Sequence, residues 1–218
     1  FETQKNDVLS MLPVRKINSN KYTNGKVFVL AGSRGLTGAA YLCSQAAMKA
    51  GSGAVVIGVP ESISSVMACK LTEVMTLPLS ETEEHSLALK SYDGMVSRLE
   101  WADTVLIGPG ISKNPETLEL VRKIVKENNK NYVIDADALS AFKDNLKLLK
   151  NKNIIITPHI GEFSNLINKN IEDVRNNFYE LAVNFAKEHK VVLVLKNSPT
   201  ITVNENSCYI NSTGKQNL

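Results

Sequence analysis

The sequence predicts an α/β protein: a single doubly wound, mostly parallel sheet flanked by helices, with an antiparallel hairpin at one edge. Three observations predict it. Short apolar runs recur at 27–31, 54–59, 104–107, 132–134, 154–156 and 191–195, and they are continuous rather than alternating, the pattern of strands buried on both faces. Segments of helical spacing separate these runs, and that alternation is the signature of a parallel sheet with helices on its faces. The last two runs, 200–203 and 207–210, flank only Asn204-Glu205-Asn206 and read as a tight hairpin. No repeat, low-complexity tract or Pro/Ser-rich linker interrupts the 218 residues, so 1–218 reads as one domain, long enough to bury a substantial core.

Taken in order, residues 1–10 read as a short helix with Leu9, Met11 and Leu12 as apolar anchors ahead of Pro13, and 18–25 as polar turn. The strand at 27–31 empties into Gly32-Ser33-Arg34-Gly35-Leu36-Thr37-Gly38. A helix over 39–50 follows, where Ala39, Ala40, Ala46 and Ala47 permit close packing on the sheet, and Gly51-Ser52-Gly53 stops it. After the strand at 54–59, Pro60-Glu61-Ser62 opens a helix with apolar positions at Ile63, Val66, Met67 and Leu71. A short strand is expected at 74–77 and a helix between 81 and 99. The strand at 104–107 closes on Gly108-Pro109-Gly110, and Leu118, Val121, Ile124 and Val125 then share one face of an amphipathic helix over 115–128. The strand at 132–134 ends at Asp135, with Asp137 two residues on and a short helix at 139–142. Ile154-Ile155-Ile156 is a β-branched run, stiff and extended. Pro158 ends it, because proline cannot donate to a ladder. One long helix is expected over 171–187, before the strand at 191–195.

Composition narrows the function classes. Hydrophobic residues make up 43% and charged residues 22%, ordinary for a soluble globular protein. A formal net charge of +3, carried by scattered lysines, argues for neither nucleic acid nor a membrane surface as partner. No apolar run approaches a membrane span and the amino end carries no signal-peptide pattern. Cys43, Cys69 and Cys208 have neither paired nor metal-ligand spacing, which points to a reducing compartment and a cytoplasmic setting. Phe1 rather than Met opens the chain, so both ends are expected to be incomplete.

The chemistry is concentrated in five loops at strand ends: 32–38, 108–110, 135–137, 157–162 and 196–200. In an open parallel sheet all of these fall on the carboxyl edge, where ligands bind. Glycines let backbone approach a ligand, and the first loop precedes a helix whose free N–H groups suit phosphate. Each loop has a bland reading as well. Strand–helix packing accounts for the glycines, Asp135 and Asp137 suit helix caps, and Lys196 suits a solvated strand end. In Thr157-Pro158-His159-Ile160-Gly161-Glu162, His159 sits on a strand-end loop where no packing role is expected.

Taken together, several segments resemble a known family. They are Ala31-Gly32-Ser33 with Thr37-Gly38-Ala39-Ala40, Ile107-Gly108-Pro109-Gly110, Asp135-Ala136-Asp137-Ala138-Leu139, the Thr157 to Phe163 segment, Leu195-Lys196 and Thr213-Gly214. In this order they resemble the ADP/ATP-dependent NAD(P)H-hydrate dehydratases, the carboxyl-terminal domain type of the YjeF proteins, with a ribokinase-like fold. The resemblance runs from about Lys21 to the end of the chain. It implies repair of hydrated NADH or NADPH by phosphorylation of the C6 hydroxyl, with ADP or ATP as donor, followed by loss of phosphate. Carried over by position, Ala39, Gly110 and His159 would contact the hydrated dinucleotide. Lys196, Asn197, Ser198, Pro199 and Thr200 would form the adenine-nucleotide segment, and Glu162 would help to hold Mg²⁺ through water. The resemblance also implies a homo-oligomer, a tetramer.

This sequence departs from the family pattern at four places. Asn20-Lys21-Tyr22 stands where His-Lys-Gly is usual, Asn197 where glycine is usual after the lysine, and Lys215 where asparagine is usual. The Gly-Gly-Thr-Gly-Asp segment, whose aspartate is the family's base, does not occur before Leu218. The catalytic aspartate is therefore expected beyond Leu218, and the chain is expected to be truncated at its carboxyl end. Two readings within the same loops stay open: a ribokinase-like kinase for a vitamin precursor, and a non-catalytic nucleotide-binding module. A Rossmann oxidoreductase is poorly matched, because Glu61 after Pro60 is a weak candidate for the ribose-binding acid.

Overall fold

The computed structural model describes residues 2–14, 17–21, 23–150 and 153–213. Tyr22, Gly214, Lys215 and Leu218, which enter the sequence arguments, lie outside the described residues. The strands are β1 (Lys26–Leu30), β2 (Ala54–Pro60), β3 (Met75–Leu79), β4 (Thr104–Ile107), β5 (Asn131–Ile134), β6 (Ile154–Ile156), β7 (Val192–Leu195), β8 (Thr200–Val203) and β9 (Cys208–Asn211). The helices are α1 (Lys5–Met11), α2 (Thr37–Lys49), α3 (Glu61–Lys70), α4 (Ser91–Trp101), α5 (Pro115–Glu127), α6 (Ile160–Leu166), α7 (Ile171–Asn176) and α8 (Phe178–His189).

All nine strands form one sheet in the order β3-β2-β1-β4-β5-β6-β7-β8-β9. The seven strands from β3 to β7 are parallel, and β8 and β9 close that edge as the expected antiparallel hairpin. The chain winds outward from β1 to β3, returns to lay β4 on the other side of β1, and then winds the opposite way. Winding direction therefore reverses between β1 and β4, the kind of position at which open α/β sheets bind ligands.

Alternate residues of each strand feed two cores. Phe28, Leu30, Val105, Tyr132, Ile134 and Ile156 pack beneath α4, α5 and α8, whereas Val29, Val55 and Ile57 pack beneath α2 and α3 with Ile63 and Met67. Among the described residues, α2 and α3 cover the second face near β1 to β3, with Leu106 of β4 packed at their margin. Further along it Val133, Ile155, Val192 and Val194 belong to neither core, and Ile155 is 38% exposed. No helix among the described residues is long and apolar enough to cross a membrane.

Several expected elements differ. The long helix over 171–187 is two helices, broken at Asn177, whose backbone leaves the helical region at φ −117° and ψ 25°. Its side-chain Nδ2 and its backbone N–H both donate to Asp173 O, at 3.1 and 3.0 Å, and close the end of α7. Helix α1 buries none of its residues, so Leu9 and Met11, with Leu12 just beyond, are exposed rather than anchoring. Val66 is 43% exposed on the outer side of α3. The helix sought between 81 and 99 begins only at Ser91, since the preceding loop carries His85 in the left-handed region at φ 58°. The helix at 139–142 is a 3-10 helix spanning Ala136–Phe142.

Candidate active site

The loops after β1, β4 and β5 are laced together at the switch point. Gly32 N donates to Pro109 O at 2.9 Å, and Ser33 Oγ donates to Gly110 O at 2.8 Å. Gly108 has φ +135°, and a Cβ there would lie 1.8 Å from the Asp135 carbonyl oxygen, so only glycine lets the second and third loops touch. Gly110, at φ +70°, would place a Cβ 3.1 Å from that of Ala39. The two backbone positions expected at the dinucleotide are thus brought into contact by strands far apart in sequence.

The aspartates after β5 do not act as caps. Asp135 stands at the N-cap of the 3-10 helix without a capping bond; its Oδ1 accepts from Lys196 Nζ at 2.8 Å. Asp137 Oδ2 accepts from Ser112 N at 3.1 Å, with Ser112 in the left-handed region at φ 74°. Both carboxylates therefore tie neighbouring loops together.

After β6 the backbone stays extended through Pro158, whose carbonyl accepts from Lys196 N at 2.8 Å. His159 then caps α6. Its Nδ1 accepts from Gly161 N at 3.0 Å and Glu162 N at 3.2 Å, and Glu162 Oε2 accepts from His159 N at 2.8 Å. This reciprocal capping box gives His159 a structural role that the sequence reading did not assign. It also sets the tautomer: with Nδ1 accepting, the neutral ring carries its proton on Nε2, which faces Glu162 Oε1 at 3.4 Å.

Lys196 joins the last two loops. Its ammonium lies 2.8 Å from Asp135 Oδ1 and 4.0 Å from Glu162 Oε2. Beside this group opens a polar cavity of about 330 Å³ whose lining includes Lys113, Asp137, Ser140, His159, Glu162 and Asn165. Ala39 and Gly110 are not among the residues of its wall, and residues 196–199 join β7 to β8. There Thr200 Oγ1 donates to Asn197 O at 2.9 Å, and Ser198-Pro199 is a cis peptide.

The donor set limits what a metal could use. Among the described residues no group of three or more His, Cys, Asp or Glu side chains could hold a metal ion. The one carboxylate at the cavity beside Lys196 fits a cation that keeps most of its waters and arrives with phosphates, as Mg²⁺ does, and does not fit a protein cage.

Lys113, Ser140 and Asn165 escaped the sequence reading. Asn165 stands three residues after Glu162 on α6, so helical spacing could have found it; nothing in the sequence marks Lys113 or Ser140. His85 is a further surprise: its Nδ1 lies 2.7 Å from Glu81 Oε1, and its carbonyl accepts from Arg34 N at 3.2 Å, tying the loop after β3 to the first glycine loop. Burial pushes the Glu81 carboxyl up, but the Ser62 and His85 hydrogen bonds outweigh it and hold the carboxyl below its usual range.

A nine-stranded sheet of this winding, with its polar cavity at the carboxyl edge, is that of a ribokinase-like α/β protein. The chain superposes on a ribokinase-like superfamily protein from Enterococcus faecalis with a TM-score of 0.85 at 19% identity, over 98% of this chain and 72% of that one. The model of the NAD(P)H-hydrate dehydratase family matches residues 27–218, and the chain belongs to that family. It is 35% identical to the bifunctional NAD(P)H-hydrate repair enzyme of Moorella thermoacetica over 96% of this chain and 40% of that one. It also resembles the ADP/ATP-dependent NAD(P)H-hydrate dehydratase of Bacillus subtilis, co-crystallised with ATP and Mg²⁺: TM-score 0.78, 26% identity, 97% of this chain and 72% of that one. The chain spans about 40% of the length of the first curated relatives that it matches.

Proposed function

We propose that this chain is the dehydrating unit of nicotinamide-nucleotide repair, converting (S)-NAD(P)H hydrate to NAD(P)H with ADP or ATP as phosphoryl donor. The observation that carries the reading is the convergence of five loops on one sheet edge. Ala39 abuts Gly110, His159 and Glu162 line a polar cavity, and Lys196 is tied to both Asp135 and Glu162.

In this reading the hydrated ring lies near Ala39 and Gly110, with His159, in the cavity wall beside Glu162, offering its Nε2–H to a ligand oxygen. Residues 196–200 hold the adenine nucleotide, with the Lys196 ammonium beside its phosphates. Mg²⁺, held through water by Glu162, neutralises phosphate charge when bound. The donor's terminal phosphoryl passes to the C6 oxygen, whose proton is released. The ring nitrogen lone pair then expels phosphate by breaking the C6–O bond, and loss of the C5 proton restores the double bond. Transfer of this kind is governed by positioning and electrostatic stabilisation, which matches a site made of tied loops. No residue of 1–218 is assigned as the base. The protein works as a homo-oligomer in the cytoplasm.

The test is recovery of dihydronicotinamide absorbance when the intact gene product meets hydrated NADH or NADPH with ADP or ATP. Recovery that depends on the donor and yields one phosphate per turnover is expected. No recovery with either donor, alongside phosphorylation of a vitamin precursor by ATP, would overturn the reading in favour of a small-molecule kinase.

A further inference from the structure

Among the described residues Lys113 is the one lysine or arginine that lines the cavity, and its side chain is exposed. Its backbone is held on both sides. Ser112 N is anchored on Asp137 Oδ2, and Asn114 N donates to Ser112 Oγ at 3.1 Å. Asn114 Oδ1 in turn caps α5 by accepting from Glu116 N at 2.9 Å, while its Nδ2 donates to Glu84 Oε2 at 3.1 Å. A left-handed Ser112 between these anchors turns the chain so that Lys113 borders the cavity.

The carboxylates of that wall are already engaged. Asp137 holds Ser112 N, and Glu162 holds His159 N with Lys196 nearby. No hydrogen bond or ion pair joins the Lys113 ammonium to another described residue. An exposed ammonium with no partner among the described residues, carried on a held backbone in the same cavity wall as His159, is a site for an anion.

We propose that Lys113 is a phosphate-binding residue of the dinucleotide site, its ammonium taking a phosphate group of the hydrated dinucleotide in the cavity wall. This rests on the dehydratase reading. The phosphate is either the pyrophosphate, common to both hydrates, or the 2′-phosphate that only NADPH hydrate carries. Losing one charge-assisted contact at a partly solvated site weakens binding about tenfold.

The experiment is calorimetric binding of NADH hydrate, NADPH hydrate and ADP to the wild type, Lys113→Ala, Lys113→Arg and the surface control Lys126→Ala, with thermal melts of each. Lys113→Ala is expected to raise Kd about tenfold for at least one hydrate, with ADP affinity and Tm unchanged, Lys113→Arg recovering most of the loss and Lys126→Ala showing none. A loss confined to NADPH hydrate assigns the 2′-phosphate, and a loss shared by both hydrates assigns the pyrophosphate. Unchanged Kd for both hydrates, or a loss that includes ADP, overturns the assignment of Lys113 while the dehydratase reading stands. Failure of the wild type to bind either hydrate overturns both.

Discussion

Replacing His159 separates its two roles. The imidazole Nδ1 satisfies two backbone donors at the start of α6, and the Glu162 carboxylate closes the box from the other side. His159→Ala removes the acceptor and leaves Gly161 N and Glu162 N to water. Loss of an N-cap acceptor costs about 1 kcal/mol, which in a domain of this size lowers Tm by about 2–4 °C. His159→Asn keeps a capping oxygen at the same position but lacks the ring Nε2–H. Asparagine is a good N-cap residue, so this variant is expected to melt within about 1 °C of the wild type. Both variants are expected to bind hydrated NADPH about tenfold more weakly, the loss of one hydrogen bond to a charged group. Thermal unfolding followed by circular dichroism, with calorimetric titration of the same preparations, reads the two effects independently. An unchanged Tm in His159→Ala would show that the capping box contributes nothing. Recovery of affinity as well as Tm in His159→Asn would show that the ring itself does not meet the ligand.

Three further outcomes are expected. Gly108→Ala forces a Cβ to within 1.8 Å of Asp135 O at φ +135°, so it should destabilise by at least about 3 kcal/mol; a loss below about 1 kcal/mol in urea unfolding would contradict the contact. Lys196→Ala should weaken ADP or ATP binding more than binding of the hydrated dinucleotide. It should cost at most about 1 kcal/mol of stability because the pair with Asp135 is solvated, and equal calorimetric losses for both ligands would refute this separation. His189 is 6% exposed, and burial holds its ring below the usual histidine range, in the neutral form. Its contribution is therefore complete above an unfolded pKa of about 6.5. It is lost as pH falls from there toward the folded value, because only the unfolded chain takes the proton, at no more than about 1.4 kcal/mol per pH unit. Urea unfolding at several pH values should show a shallower acid slope in His189→Leu, and identical slopes would exclude the buried ring as a cause.

Local chemistry made much of this protein legible in its sequence. Continuous apolar runs marked β1, β2, β4 and β6; a strand buried on both faces has no polar side to show, which holds for β2, whereas β6 leaves Ile155 exposed. Pro158 and Gly108-Pro109-Gly110 marked where strands stop, and the face of α5 was readable from Val121, Ile124 and Val125. The same patterns misled where a segment's partner decides its fate. Leu9, Met11 and Leu12 are as apolar as core residues yet are exposed among the described residues, and a periodic helix is broken at Asn177, where the backbone leaves the helical region.

The site depended most on tertiary structure. Sequence identified residue types suited to phosphate and hydroxyl chemistry at five strand ends. It could not say that the reversal between β1 and β4 would press Gly110 against Ala39, or that Asp135 would reach Lys196, 61 positions away. Hydrophobic period tells each strand which faces to bury but carries no address for its neighbour in the sheet. Strand order is chosen by the packing of the whole chain, and that choice made two candidate helix caps into ties between loops, and gave the histidine expected at the ligand a capping role as well.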